Sequence, residues 1–197
     1  MHNIFRDVYR RPSTPPELRT MESLEYMFSD IEVHGVEGDV LESGVYTGRH
    51  SLMMASSIKA HGAFERRQWL CDSFNGLPPP DAKYKADRGD HHHKVLQFYQ
   101  GGPGVAHNNL CAAGLCDVRM EQHWVVGFFN ETMPEVRRQV ETLALLRLDG
   151  DGGPAECGKH KFFHSLKQGL FLKFSTTKIL LGLKQQEQSQ LWESVET

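Results

Sequence analysis

The 197-residue sequence lacks several features that mark particular classes of protein. No apolar run approaches the ~20 residues of a membrane helix, and residues 1–16 lack the apolar core of a signal peptide. No basic run is paired with spaced aromatic residues, so nothing favours nucleic acid. None of the four cysteines belongs to a CxxC pair. We therefore expect a cytoplasmic protein without membrane or nucleic-acid partners, whose thiols are free and at least half-buried.

The segment VEGDVLESGVYTGRHSL, residues 36–52, combines a strand-like run, a glycine turn and the start of a helix. Glu42 lies near the end of the strand, and Gly44 and Gly48 flank a short loop. Glycine lets the backbone approach a ligand that a Cβ would exclude, and strand–loop–helix units of this kind form nucleotide-cofactor pockets. The spacing E-x-G-x-x-x-G is not that of dinucleotide binding. An acidic strand end instead suits a cofactor with a positive amine, such as S-adenosylmethionine (SAM); an ordinary structural turn is the alternative.

A second acidic residue, Asp72, follows the next predicted strand and lies 30 positions after Glu42. A carboxylate at this point can accept hydrogen bonds from both hydroxyls of a ribose. The alternative is a structural role, as a helix N-cap or an Asx-turn before Gly76.

Four sequence segments, taken in chain order, together resemble one family, the macrocin O-methyltransferase (TylF-type) family of SAM-dependent enzymes. They are VEGDVLESGVYTG, DSFNGLPPPD, GFFNETMP at 127–134 and LLRLDGD at 145–151, so the similarity covers roughly residues 20–151. The resemblance implies an α/β, Rossmann-like class I methyltransferase fold and SAM as methyl donor. It also implies a divalent metal, usually magnesium, and a small hydroxylated acceptor, often a sugar of a natural product. A homo-oligomer stays open.

By position, the resemblance also implies roles for individual residues. Six would bind SAM: Glu42, Gly44 and Gly48 on its methionine side, and Asp72, Ser73 and Phe74 at its ribose and adenosine. Asp149 would be the first metal ligand and the catalytic base, with Asp151 as a second metal ligand. Arg49 and His50 stand where the family usually has small residues, and their bulk is expected to narrow the pocket.

After Asp151 the character of the chain changes. Residues 1–152 contain 12 Arg and 4 Lys, whereas residues 153–197 contain 6 Lys and no Arg, and no aspartate follows Asp151. The family would continue into a strand with a paired aspartate that completes the metal site. We therefore expect residues 1–151 to form a methyltransferase-like domain that is incomplete at its C-terminus. Residues 152–197 are interpreted as a divergent tail, the product of a truncation, a frameshift or an exon misassignment. Such a chain should be marginally stable and weakly active or inactive.

Three functions remain open on these grounds. The first is a SAM-dependent O-methyltransferase, and the second is a catalytically inactive remnant that binds SAM or a protein partner. The third is a glycosyltransferase, because Asp149-Gly150-Asp151 is a DxD motif. A zinc site built from Cys157, His160 and His164, with Cys111 or Cys116, matches no common spacing.

Periodicity and turn residues predict the order of elements. The predicted helices are residues 16–31, 51–60, 105–113 and 134–143, and the predicted strands are residues 40–45, 68–71, 118–126 and 144–148. A long polar loop over 76–104 is interpreted as a lid or an insertion. In the tail, only residues 169–174 and 177–181 are expected to form strands.

Overall fold

A computed structural model describes residues 15–76, 102–149 and 178–181 of the chain. Helices and strands alternate through most of this part. The helices are α1 (Pro15–Val33), α2 (Arg49–His61), α3 (Gly104–Ala112) and α4 (Phe129–Gln139). The strands are β1 (Asp39–Ser43), β2 (Gln68–Asp72), β3 (Gln122–Val126), β4 (Leu143–Leu148) and β5 (Lys178–Leu181).

The five strands form one parallel sheet in the order β3-β2-β1-β4-β5. The chain first builds outward from β1 through β2 to β3, and then crosses to the other side of β1 to form β4. The strand order therefore reverses between β1 and β4. In open α/β sheets, ligands bind outside the carboxyl ends of the strands at such a reversal. The predicted α/β fold is confirmed.

Helices cover both faces of the sheet. On one face α4 packs Phe129, Met133 and Val136 against a cluster that includes Leu41 and Trp69. On the other face α1, α2 and α3 share a larger cluster of buried side chains: Leu24, Phe28, Ile31, Val40, Met54, Ile58, Leu110, Ala144 and Leu145. Adjacent residues Val40 and Leu41 thus point to opposite faces, as the period of two in a strand requires. A sheet covered on both faces explains why β1 and β4 are buried along their whole length.

One predicted helix differs from the structure at both ends. The pattern placed Pro134 at the first helical position, where proline is favoured, and predicted a helix over 134–143. In the structure α4 begins at Phe129 and encloses Pro134. The burial of Phe129 and Met133 outweighs the backbone hydrogen bond that a proline inside a helix removes. Val140 is already extended and leads into β4.

The tail contributes a single strand within the described ranges. The strand predicted at 177–181 is confirmed as β5, which pairs with β4 in parallel register from Leu145 with Lys178 to Leu148 with Leu181. The strand predicted at 169–174, residue Asp151, the zinc candidates Cys157, His160 and His164, and most of the loop over 76–104 lie outside the described residues.

The cysteine prediction was wrong for one pair. Cys111 and Cys116 form a disulfide across the C-terminal end of α3, with their Cα atoms 4.8 Å apart. Sequence spacing did not reveal this pair, because its geometry depends on where the helix ends. Cys71 in β2 is a free thiol, as expected, and burial raises its pKa. Among the helices described here, none is both long and apolar enough to cross a membrane.

Candidate cofactor and catalytic site

The structure brings the sequence-predicted residues together at one edge of the sheet. Gly44 follows β1, Asp72 ends β2 and Asp149 follows β4, and these three strands are neighbours. The backbone N–H of Asp149 donates to the carbonyl of Ser43 at 2.8 Å, and that of Gly44 donates to the carbonyl of Cys71 at 2.9 Å. These bonds fix the three strand ends relative to one another. The crevice above them lies at the reversal in strand order.

Asp72 holds the glycine loop through backbone hydrogen bonds. Its Oδ2 accepts from the N–H groups of Val45 at 2.8 Å and Tyr46 at 2.9 Å. Its Oδ1 accepts from the N–H of Phe74 at 2.8 Å, which is the Asx-turn that the sequence left as an alternative. Three of about four acceptor positions of the carboxylate are therefore used by the protein. Part of its capacity remains for a ligand hydroxyl.

Two of these partners have unusual backbones. Tyr46 and Phe74 are non-glycine residues with positive φ, 53° and 49°. Left-handed backbone is costly for such residues and persists where the surroundings enforce it. Here the same carboxylate binds the amides of both. The Phe74 side chain is buried in a small cluster with Val45 and Leu70, which helps to fix this turn.

Ser73 and the two glycines have local structural roles in this arrangement. The Ser73 hydroxyl donates to the carbonyl of Gly76 at 3.3 Å, within the turn. Gly44 has φ +92°, which favours glycine. At Gly48, also with positive φ, an added Cβ would lie 3.0 Å from Ala106 Cβ and 3.2 Å from Leu110 Cδ1. The crowding at Gly48 comes from α3, so the missing Cβ is needed for the packing of that helix, and the cofactor role of Gly48 stays a prediction.

A buried ion-pair network forms the other half of the site. Arg147, only 2% exposed, donates through Nη1 to Glu42 Oε1 at 2.8 Å and through Nη2 to Asp149. Its Nη1 also reaches the carbonyl of Gly44 at 3.3 Å. The second oxygen of Glu42 accepts from the Ser51 hydroxyl at the start of α2. We call Glu42, Arg147 and Asp149 the charged triad.

The Glu42 carboxylate is occupied by contacts within the protein. It is fully buried and both oxygens have protein partners. Sequence reasoning missed Arg147, since one arginine in the apolar strand LALLRL gives no sign of where its side chain points. In register it lies directly beside Glu42 across the β1–β4 pair. A charged residue in a strand that is otherwise fully apolar was the signal available.

Burial alters two ionisation equilibria here. Loss of hydration raises the pKa of Glu42 to about 7, against the opposing attraction of Arg147 and the hydrogen bond from Ser51. Burial and then the charge of Arg147 lower the pKa of His50 to about 4, so its imidazole is neutral at pH 7. His50 Nε2 is buried and has no hydrogen-bond partner among the described residues. His50 Nε2 is therefore a buried polar atom that leaves its hydrogen-bonding capacity unused within the described residues.

The described residues do not fit a magnesium site. Mg²⁺ prefers about six oxygen ligands in near-octahedral geometry. Of the two carboxylates in the charged triad, only that of Asp149 is partly exposed. One of its oxygens, Oδ2, already accepts a hydrogen bond from the guanidinium of Arg147. The ligand set is therefore incomplete within the described residues, and Asp149 and Asp151 as metal ligands stay predictions.

The fold defines a class of protein: a Rossmann-like α/β domain whose strand order reverses between β1 and β4, where such domains bind ligands. The sequence model of the macrocin-O-methyltransferase (TylF) family matches residues 17–157, and the chain belongs to this family. The resemblance predicted from the four motifs is thereby confirmed.

Similar proteins methylate natural products, as their names state. The 8-demethyl-8-(2,3-dimethoxy-alpha-L-rhamnosyl)-tetracenomycin-C 4'-O-methyltransferase of Streptomyces olivaceus is 31% identical over 145 residues, which are 68% of this chain and 50% of that protein. The demethyldecarbamoylnovobiocin O-methyltransferase of Streptomyces niveus is 28% identical over 152 residues, 77% of this chain and 56% of that protein. The chain thus spans about half the length of these curated relatives.

Solved structures agree on the fold. The O-methyltransferase NovP superimposes with a TM-score of 0.66 at 26% identity, over 74% of this chain and 59% of its own. The calicheamicin methyltransferase CalS11 gives a TM-score of 0.64 at 21% identity, over 83% and 63%. A different similarity covers the C-terminal part: residues 156–197 match the model of the autophagy protein ATG5 alpha-helical bundle region.

Proposed function

We propose that this protein binds SAM at the crevice between β1, β2 and β4 and belongs functionally with the O-methyltransferases of hydroxylated natural products. The observation that carries the proposal is the convergence of the glycine loop, Asp72 and Asp149 at the strand-order reversal. Family membership and the sugar or natural-product methyltransferases among its relatives support the acceptor class. A cytoplasmic location fits such an enzyme and is part of the proposal.

Each part of the site has a separate role in this proposal. The loop from Gly44 to Gly48 binds the cofactor, and Asp72 both shapes that loop and accepts a hydrogen bond from a ribose hydroxyl. When bound, SAM supplies a methyl group made electrophilic by its sulfonium. Asp149 accepts the proton of the acceptor hydroxyl, since it is the triad carboxylate that reaches solvent, at 36% side-chain exposure. Arg147 acts as a positioning residue that orients Asp149, and Glu42 in turn holds Arg147.

The proposal also covers the two parts of the chain. Residues 1–151 form the SAM-binding part, and residues 152–197 have a separate origin. The change in basic residues at that boundary and the ATG5-like match beyond it support this division. A second function is supported by the described residues, which do not complete a magnesium site: the chain would bind SAM without turning it over. The glycosyltransferase alternative, which rests on the DxD motif alone, is disfavoured because it leaves the glycine loop and Asp72 without a role.

Calorimetry and turnover assays on the full chain test the proposal. SAM and S-adenosylhomocysteine should bind one per chain, and Asp149→Asn should leave that binding within about twofold while abolishing methyl transfer to hydroxylated glycosides. Asp149→Asn keeps an oxygen for Arg147, so the fold is retained. Binding without turnover in the wild type would select the inactive reading. Absence of any SAM binding by the folded chain would refute both.

A further inference from the structure

A cluster of three metal-ligating side chains lies at the C-terminal end of α3, away from the charged triad. His107 and Cys111 are four residues apart on the helix and so share one face. Cys116 returns to that face after the helix has ended. Both ring nitrogens of His107 lie 3.8 Å from Cys111 Sγ, and its Nε2 lies 4.0 Å from Cys116 Sγ. All three residues are exposed.

Imidazole nitrogen and thiolate sulfur are the ligands that zinc favours, in tetrahedral geometry with bonds of about 2.1 and 2.3 Å. Such bonds separate nitrogen and sulfur by about 3.5 Å along a tetrahedral edge. The imidazole–sulfur distances in this cluster are close to that edge. To bind one ion, the two sulfur atoms of the disulfide must separate and the His107 ring must turn so that one nitrogen faces the ion, because both ring nitrogens are now equidistant from Cys111 Sγ. Cys116 lies outside the helix, where its backbone can adjust.

We propose that, once the Cys111–Cys116 disulfide is reduced, the two thiolates and His107 bind one Zn²⁺ ion, with water as fourth ligand. Reduction adds two electrons and two protons to the disulfide. With a phosphine as reductant, phosphorus is oxidised to the phosphine oxide and takes its oxygen from water. Zinc binding then displaces the two thiol protons into solvent. A reducing cytoplasm keeps most cysteines as thiols, so the metal-binding form is the one expected there.

The site is mechanically connected to the cofactor loop. Ala106 and Leu110 of α3 pack against Gly48, and Asn109 Nδ2 donates to the carbonyl of Thr47 at 2.9 Å. His107 also lies edge-on to Trp124, at 5.9 Å between ring centres. Zinc or the disulfide would each link Cys116 to the last turn of α3, a link that the free dithiol lacks. The state of the cluster would thus add to the packing and hydrogen bonds that already hold this turn.

Zinc titration of the full-length, metal-free protein tests the site directly. A chromogenic chelator competes for the ion before and after treatment with a phosphine reductant. We expect one Zn²⁺ per reduced chain with release of two protons, and none per oxidised chain. His107→Ala, which keeps the disulfide, should weaken binding to the reduced chain at least tenfold, and Cys111→Ser should abolish it. His34→Ala, at the end of α1, and Cys157→Ser, in the tail, serve as controls and should leave binding unchanged.

Several outcomes would overturn the proposal. Equal binding by oxidised and reduced protein would exclude the two thiolates as ligands. Loss of binding in Cys157→Ser but not in Cys111→Ser would assign the ion to the tail. Unchanged affinity in His107→Ala would remove the imidazole. Circular dichroism of each reduced sample verifies folding, and His107→Ala decides the matter if Cys111→Ser fails to fold. Because the readout is zinc, the result is independent of SAM binding and turnover.

Discussion

The two halves of the crevice are built by different physical means. On the β1–β2 side, backbone amides of the glycine loop donate to one partly exposed carboxylate, Asp72. On the β1–β4 side, the buried guanidinium of Arg147 joins two carboxylates. Backbone amides survive any change of side chain, whereas a buried ion pair depends on every member being present and correctly charged. The β1–β2 half, where we propose that SAM binds, should therefore tolerate changes of sequence better than the β1–β4 half, where we propose that Asp149 acts as base. We call them the cofactor half and the catalytic half.

Removing Arg147 should have the largest effect. Arg147→Met keeps most of the side-chain volume but leaves Glu42 as a buried carboxylate without its cation. Breaking one partner of a buried pair costs about 3–5 kcal/mol. Urea unfolding followed by circular dichroism should show that loss in the free energy of unfolding. Adding Glu42→Gln to this variant should recover a large part of it, and no recovery would show that the cost is packing alone.

Two side chains of the catalytic half should make the stability of the protein depend on pH, and their effects should be opposite in sign. The pKa of Glu42 is raised from 4.5 to about 7, so the folded state binds the extra proton between these values and the contribution of this group to stability falls as pH rises. The pKa of His50 is lowered from 6.5 to about 4, so its contribution rises with pH over pH 4–6.5. Each contribution amounts to about 3 kcal/mol at most, and the two largely cancel.

Variants separate these two contributions. The free energy of unfolding of wild type minus that of Glu42→Gln should decrease as the pH rises from 4.5 to 7. The same difference taken with His50→Gln should increase as the pH rises from 4 to 6.5. Two flat difference curves would mean that neither side chain is as buried in solution as in the structure.

In the cofactor half, Asp72→Ala should lower the free energy of unfolding by about 2 kcal/mol, because three backbone amides lose a charged acceptor near the surface. SAM affinity should fall by a further 1–3 kcal/mol, about 5- to 150-fold, from the lost ribose contact. Asp117→Ala is the matched control, since it removes a half-buried aspartate whose partner is the nearby Arg119. If Asp72→Ala changes stability but not SAM affinity, Asp72 is a structural residue only.

The smallest expected effect isolates the packing of α3 on the loop. Gly48→Ala and Gly62→Ala both place alanine at positive φ, 83° and 69°. Only at Gly48 does the new methyl group meet another helix, at 3.0 Å from Ala106 Cβ. Thermal unfolding should show both variants destabilised by about 1 kcal/mol for backbone strain, with about 1 kcal/mol more for Gly48→Ala from overpacking. Equal destabilisation of the two variants would mean that α3 does not pack against Gly48 as closely as the structure shows.

Sequence reasoning succeeded where the signal is local. The strand before Gly44, the helix after Gly48 and the acidic end of β2 all follow from residues within one turn of each other. It failed where a side chain acts across the sheet: Arg147 meets Glu42 from 105 positions away. The ends of α4 were missed because they depend on which of its side chains the assembled layers bury. The pairing of Cys111 with Cys116, only five positions apart, was missed because it depends on where α3 ends.

The separation of 105 positions between Glu42 and Arg147 also bears on how the chain folds. Strands β1, β2 and β3 can pair as soon as residue 126 is available, but the opposite edge of β1 stays open until β4 arrives. Pairings between distant residues are slow to form, because a large loop must close before any contact compensates for it. We expect the catalytic half to be the last part of the sheet to form during refolding. During synthesis, an unpaired apolar strand would meanwhile be exposed to other chains, so the nascent protein should depend on chaperones more than its modest length suggests.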